Sequence, residues 1–135
     1  FESRWVHLRS EESACPWLVP GEIWPVPVAH AEGRFVCRDD ETLAALKANG
    51  QVALRYVHPD GSAPGYPECP NGAVEQIAGI CDPTGRVLGL MPHPERNLLP
   101  WNHPHWTRMA ARQEGEGAGF FQRLVDVAKG SMASV

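Results

Sequence analysis

Apolar and polar positions change rhythm several times along the chain, and each rhythm predicts an element. The first nine residues, Phe1-Glu-Ser-Arg-Trp-Val-His-Leu-Arg9, interleave the two classes without helical spacing and predict a strand. A proline-punctuated stretch, Cys15-Pro-Trp-Leu-Val-Pro20, separates it from Glu22–His30. There Ile23, Val26 and Val28 suit an extended segment, and the prolines exclude a helix. Asp39 or Asp40 can cap a helix that carries Leu43, Ala44, Leu46 and Lys47 and stops at Asn49-Gly50. Gln51–Val57 is rich in β-formers. The fifteen residues His58–Gly72 hold four prolines and three glycines, which predicts a lid or connector outside the core. Gln76–Cys81 and Arg86–Met91 are apolar runs on either side of Asp82-Pro83-Thr84-Gly85, a tetrapeptide with proline and glycine where a type I turn prefers them; they predict a β-hairpin. After the glycine-rich Gly115–Gly119, the residues Phe120, Phe121, Leu124, Val125 and Ala128 fall on one side of a predicted helix. No internal repeat interrupts this order.

Composition narrows the function classes. A length of 135 residues with 43% hydrophobic content suits one domain, or part of one, around a real core. The formal net charge is −4 and no run of Lys or Arg occurs, so the chain has little with which to neutralise a nucleic-acid backbone or an anionic lipid surface. The apolar runs are of strand length and no charged-then-apolar leader is present in the residues given, which points to a cytoplasmic protein that does not enter a membrane. The four cysteines, at 15, 37, 69 and 81, have no close paired spacing, so reduced thiols are expected instead of a disulfide framework or a zinc ribbon. His103-Pro-His105 offers two imidazoles, but no third ligand stands at a familiar metal-binding spacing, and no metal site is expected. Trp101 and Trp106 suggest that this late segment packs against a surface. The chain also opens on Phe1, straight into a strand, as though a longer domain had already begun.

Candidate chemistry concentrates at Gly89-Leu-Met-Pro-His93-Pro-Glu95-Arg96, where the second hairpin strand ends. In extended backbone, residues two apart share a side, so the Glu95 carboxylate can hold one nitrogen of His93 and leave the other for a substrate. Pro92 and Pro94 fix their own φ angles around that histidine and restrict it, as a site of fixed geometry requires. Spacing alone fits a surface His-x-Glu in a proline-rich turn better than it fits a catalytic pair.

Four ordered stretches carry a family resemblance: Ala29-His-Ala-Glu-Gly-Arg-Phe35, Gly50-Gln-Val-Ala-Leu-Arg-Tyr-Val57, Pro70-Asn71-Gly72 through Ile77-Ala-Gly-Ile80, and Met91-Pro-His-Pro-Glu-Arg96. Together, from the Phe1 strand to about Arg108, they resemble the glutamine amidotransferases of phosphoribosylformylglycinamidine synthase, within the class I amidotransferases. The resemblance implies an α/β fold: the C-terminal portion of a flavodoxin-like amidotransferase sheet, residues 1–135, with a β-hairpin and flanking helices. It implies a Cys-His-Glu triad that hydrolyses glutamine to glutamate and ammonia, with His93 as base and acid and Glu95 as its orienting carboxylate. It further implies that His30, Glu32 and Arg34 lie beside the glutamine pocket, although Ala31 stands where glycine is commoner. A bland alternative is that His30 and Glu32 only order a sharp turn at Gly33.

The family's nucleophile occupies a strand-to-helix elbow of the form Gly-x-Cys-x-Gly, and no cysteine here fits. Gly79-Ile-Cys81-Asp-Pro83 has proline in place of the second small residue and leads into a hairpin, not a helix. Cys15 and Cys69 each precede a proline, which disfavours helical backbone. Cys37 lies just before the helix cap and is a weak candidate. The elbow is expected upstream of Phe1, in an N-terminal half that would be a partner of this chain. The resemblance also implies glutamine as substrate and a synthetase subunit that uses ATP and Mg and amidates formylglycinamide ribonucleotide in purine biosynthesis; no cofactor is expected in the chain itself. The competing reading is a non-catalytic docking or regulatory module derived from an amidotransferase half.

Overall fold

The computed structural model describes residues 1–31 and 33–133. Five strands and two helices follow one another as β1 (Glu2–Ser10), β2 (Ile23–His30), α1 (Asp40–Ala48), β3 (Val52–Val57), β4 (Ile77–Cys81), β5 (Leu88–Leu90) and α2 (Glu116–Ala133). The strands form one sheet in the order β2-β1-β3-β4-β5, and every neighbouring pair is antiparallel. The α/β class is therefore as the resemblance implies, and the described strands form an antiparallel sheet.

Period-two alternation organises β1 and β2. Val6, Leu8 and Ser10 of β1 and Trp24, Val26, Val28 and His30 of β2 are buried, whereas the residues between them are partly exposed. β3 lies between β1 and β4 and is buried at five of its six positions. A register irregularity between Val52 and Arg55 interrupts the ladder there, and Val52, Ala53 and Leu54 are buried consecutively. α1 has the predicted caps: Asp39 Oδ1 accepts from the Thr42 N–H at 2.7 Å, and Gly50 leaves the helix at φ 66°. None of its residues is buried.

The prolines of β2 reveal how the sheet meets the site. Pro25 and Pro27 have no N–H to give a neighbouring strand, and β2 is an edge strand, where such residues are tolerated. Their carbonyl oxygens are used from outside the sheet. Pro27 O accepts from the His93 N–H at 2.9 Å, and Pro25 O accepts from Asn97 Nδ2 at 3.1 Å. The His93–Asn97 segment is thereby held against the sheet edge.

Three expectations change. The core-facing stripe of α2 is Phe120, Leu124 and Val127, while Phe121, Val125 and Ala128 point away. Phe120 stacks on Trp24 with ring centroids 5.7 Å apart. The proline-rich connector does not stay outside the core: Cys69 and Pro70 at its end, with Pro64, are buried, and Cys69 joins the main cluster with Ala73. The second hairpin strand is also shorter than Arg86–Met91, although the turn forms as expected, with the Gly85 N–H donating to Asp82 O at 3.0 Å.

Candidate active site

His93 Nδ1 lies 2.6 Å from Glu95 Oε1. A carboxylate only accepts, so Nδ1 carries the proton and, in the neutral ring, Nε2 is an acceptor. The backbone that achieves this is not extended. Pro94–Arg96 forms a 3₁₀ turn, closed by the Arg96 N–H donating to His93 O at 3.0 Å, with proline at its first position. The tight turn, not strand alternation, folds the carboxylate back onto the ring. Burial pushes the Glu95 carboxyl up, but its own backbone N–H, the His93 hydrogen bond and charge, and Arg96 outweigh this and hold it below the ordinary glutamate range. Glu95 thus persists as an anion beside the imidazole.

Two layers support the turn. Asn97 is fully buried and its Nδ2 donates both to Pro25 O and, at 2.7 Å, to Glu116 Oε2. Arg112 pairs with the same Glu116 carboxylate through the other oxygen. The start of α2 then closes over the site because Gly115 and Gly117 carry no side chains. A Cβ on Gly117 would stand 2.0 Å from Pro94 O, and one on Gly115 would stand 2.4 Å from Asn97 O. Neither could be accommodated without moving the turn that carries Glu95.

His30 stands at the end of β2, 8% exposed, with Nδ1 2.9 Å from Asn71 Nδ2. Gly33 is wedged beside it, since a Cβ there would lie 3.0 Å from the His30 ring and would collide with the end of Met91. The motif around His30 and the motif around His93 therefore meet in space. Arg34 is exposed, and Glu32 lies outside the described residues. Glu75 accepts from Lys47 at 3.0 Å and Arg55 at 3.5 Å, an organising role.

Residues 1–127 match the family described as the CobB/CobQ-like glutamine amidotransferase domain. The chain belongs to that family. Its relatives include the phosphoribosylformylglycinamidine synthase subunit PurQ of Methanococcus maripaludis, 44% identical over 120 residues, which cover 86% of this chain and 44% of the relative. The subunit of the same name from Archaeoglobus fulgidus is 40% identical over 133 residues, covering 93% and 46%. Among solved structures, that of PurLQS from Thermotoga maritima matches with a TM-score of 0.63 and 30% identity, over 94% of this chain and 48% of that one. The chain spans about half the length of the relatives it matches.

Within this amidotransferase family member, three cysteines are buried and burial favours their neutral thiols. Cys15 is pushed up to about 11, chiefly by burial. Burial also raises Cys69, and raises Cys81 with help from the Asp82 charge. Cys37 is partly exposed. Trp5 and His103 pack with ring centroids 5.0 Å apart, so the segment after the site crosses β1 on the side opposite Val6. Among the described residues, no three His, Cys, Asp or Glu side chains gather as metal ligands, and no helix is long and apolar enough to cross a membrane. The supporting roles of Asn71, Asn97 and Glu116 are not apparent in the sequence. Only Asn71 had a local signal, as the middle of Pro-Asn-Gly; the other two are defined by partners far along the chain.

Proposed function

We propose that this chain supplies the base and its orienting carboxylate to a glutamine amidotransferase of phosphoribosylformylglycinamidine synthase, which releases ammonia for the ATP-dependent amidation of formylglycinamide ribonucleotide. The observation that carries the reading is the 2.6 Å His93–Glu95 contact, with Nε2 left as the acceptor, in a chain of this family. A thiol is mostly protonated near neutral pH, and an imidazole acceptor raises its thiolate fraction. In the proposed cycle Nε2 takes the thiol proton and the sulfur attacks the amide carbon of glutamine. The imidazolium returns that proton to the departing nitrogen, ammonia leaves, and a thioester remains. Nε2 then takes a proton from water as the water attacks the thioester, and gives it back to the sulfur as glutamate departs. Glu95 keeps Nδ1 protonated through both halves and stabilises the imidazolium.

The nucleophile and the oxyanion donors come, in this proposal, from the N-terminal half of the same domain. A single missing oxyanion donor costs about 3 to 4 kcal/mol, so the chain by itself hydrolyses glutamine poorly. His30, beside His93, orients the substrate region, with Glu32 and Arg34 as further members of the same motif. ATP and Mg serve the synthetase partner, and the exposed Trp101 and Trp106 form part of a surface for it. The test is a glutaminase assay of the chain alone and after assembly with the cysteine-bearing half and the synthetase. Activity on assembly only is expected; equal activity from the chain alone would contradict the division of the site.

A further inference from the structure

Outside the His93–Glu95 pair, the least explained side chain is His30. Its Nε2 is buried and has no hydrogen-bond partner among the described residues. Its Nδ1 faces Asn71 Nδ2 at 2.9 Å, and the same Asn71 nitrogen lies 3.4 Å from Ala31 O. A carbonyl oxygen only accepts, so the Asn71 atom placed between the two is the amide NH₂, and it donates to Nδ1 as well. A ring nitrogen that accepts carries no proton, which puts the proton of the neutral ring on Nε2. Asn71 makes this contact from left-handed backbone, φ 59°, a conformation uncommon for residues with a side chain though tolerated by asparagine.

His30 and His93 occupy one corner. The His93 N–H is bonded to Pro27, three residues before His30 on the same strand, and Gly33 is wedged between the His30 ring and Met91. Two imidazoles so placed compete for a proton, because ionising either one disfavours the other. Glutamine hydrolysis as written above needs that proton on His93.

We propose that Asn71 and His30 are a positioning pair that keeps His30 neutral, with its proton on Nε2, so that the positive charge of this corner resides on His93. The catalytic consequence rests on the reading of His93 as base and acid; the location of the proton does not. The groups facing His30 act in both directions. Burial is the largest influence and lowers its pKa; the Glu2 carboxylate across on β1 and the ring's own backbone contact raise it, and His93 and the amino group of Phe1 lower it further, with a net fall. The pull of Glu2 is tempered because its carboxylate is paired with Arg4. An asparagine donor at Nδ1 adds to the fall, because it bonds only to the neutral ring.

The experiment is ¹⁵N NMR of histidine-labelled protein, as this full chain and as the assembled enzyme, titrated from about pH 8 to 5. His30 is expected to show the Nε2–H tautomer and to remain neutral through most of this range. Asn71→Ala should move the His30 midpoint up by about half a unit or more, because a hydrogen bond to the neutral form is lost. His30→Gln should leave the His93 midpoint in place, since an uncharged ring is replaced by an uncharged amide. A protonated or Nδ1–H His30 in the unsubstituted protein, or a His93 midpoint that moves in His30→Gln, would overturn the proposal. If Asn71→Ala does not fold, the unsubstituted protein and His30→Gln still decide it. A glutaminase unaffected by loss of His93 would instead remove the catalytic reading and leave the tautomer result standing.

Discussion

At the scale of single residues, the proposed site depends on a proton held on His93 by a Glu95 carboxylate that stays ionised. Replacing Glu95 by Gln removes the anion while keeping the shape, and an amide can present its NH₂ to Nδ1 and so favour the wrong tautomer. The expected result in the assembled enzyme is a fall in glutaminase kcat of about 100-fold or more, with KM for glutamine little changed. Cys81→Ser should leave the rate largely intact, because burial holds Cys81 as a thiol within β4. Equal losses from the two changes, measured side by side, would move Cys81 into the chemistry. Spacing made His93 and Glu95 a candidate pair and the family resemblance singled them out, but strand geometry was expected there and the chain uses a 3₁₀ turn. Asn97 and the role of Asn71 were not legible, because their partners stand far away in the chain: Asn97 bonds to Pro25 and Asn71 to His30. No local pattern encodes a contact that only the folded sheet creates.

At the scale of elements, α2 is both a core helix and the buttress of the His93–Asn97 turn. Phe120 stacks on Trp24, and Phe120→Ala is expected to cost about 3 to 5 kcal/mol in denaturant unfolding. Gly117→Ala adds one carbon where Pro94 O already stands, and should cost about 1 to 3 kcal/mol while also impairing glutaminase activity in the assembled enzyme. Wild-type stability and activity in that variant would contradict the close approach. Glu116 links the helix to Asn97 and Arg112. Burial raises its pKa, but the Asn97 hydrogen bond, its own backbone N–H and Arg112 bring it below the ordinary value of 4.5. Its stabilisation is therefore fully present above about pH 4.5 and is lost as pH falls through the lower folded value. Glu116→Gln should lower Tm at neutral pH and flatten the acid limb of Tm against pH; an unchanged acid limb would show that the carboxylate contributes nothing.

The elements themselves were legible where a pattern had one solution. The Asp39 cap, the Gly50 stop and the Asp82–Gly85 turn each rest on local backbone chemistry, and each formed where expected. The α2 face was misread by one position. Phe120, Leu124 and Val127 and the neighbouring stripe of Phe121, Val125 and Ala128 are both apolar, and only the position of Trp24 on β2 decides which one is covered. The end of the proline-rich connector departs from expectation for a related reason, since Cys69 belongs to a core cluster whose members, such as Val6 and Ala78, come before and after it in the chain.

At the scale of the whole molecule, one edge of the antiparallel sheet carries the site. The carbonyls of Pro25 and Pro27 on β2 anchor the His93–Asn97 segment, the start of α2 covers it, and the end of β2 delivers His30 to the same corner. The proposed base, His93, and its proposed orienting carboxylate, Glu95, lie in a chain that spans about half the length of the matched relatives, and the proposed nucleophile belongs to an N-terminal half. The most direct test separates ammonia release from ammonia use. In the assembled enzyme carrying His93→Ala, amidation of formylglycinamide ribonucleotide is measured with glutamine and, separately, with ammonium salt as nitrogen donor. The glutamine-dependent rate should fall by about 1,000-fold or more while the ammonia-dependent rate is retained. Retention of the glutamine-dependent rate would contradict the central claim that His93 is the base and acid of glutamine hydrolysis.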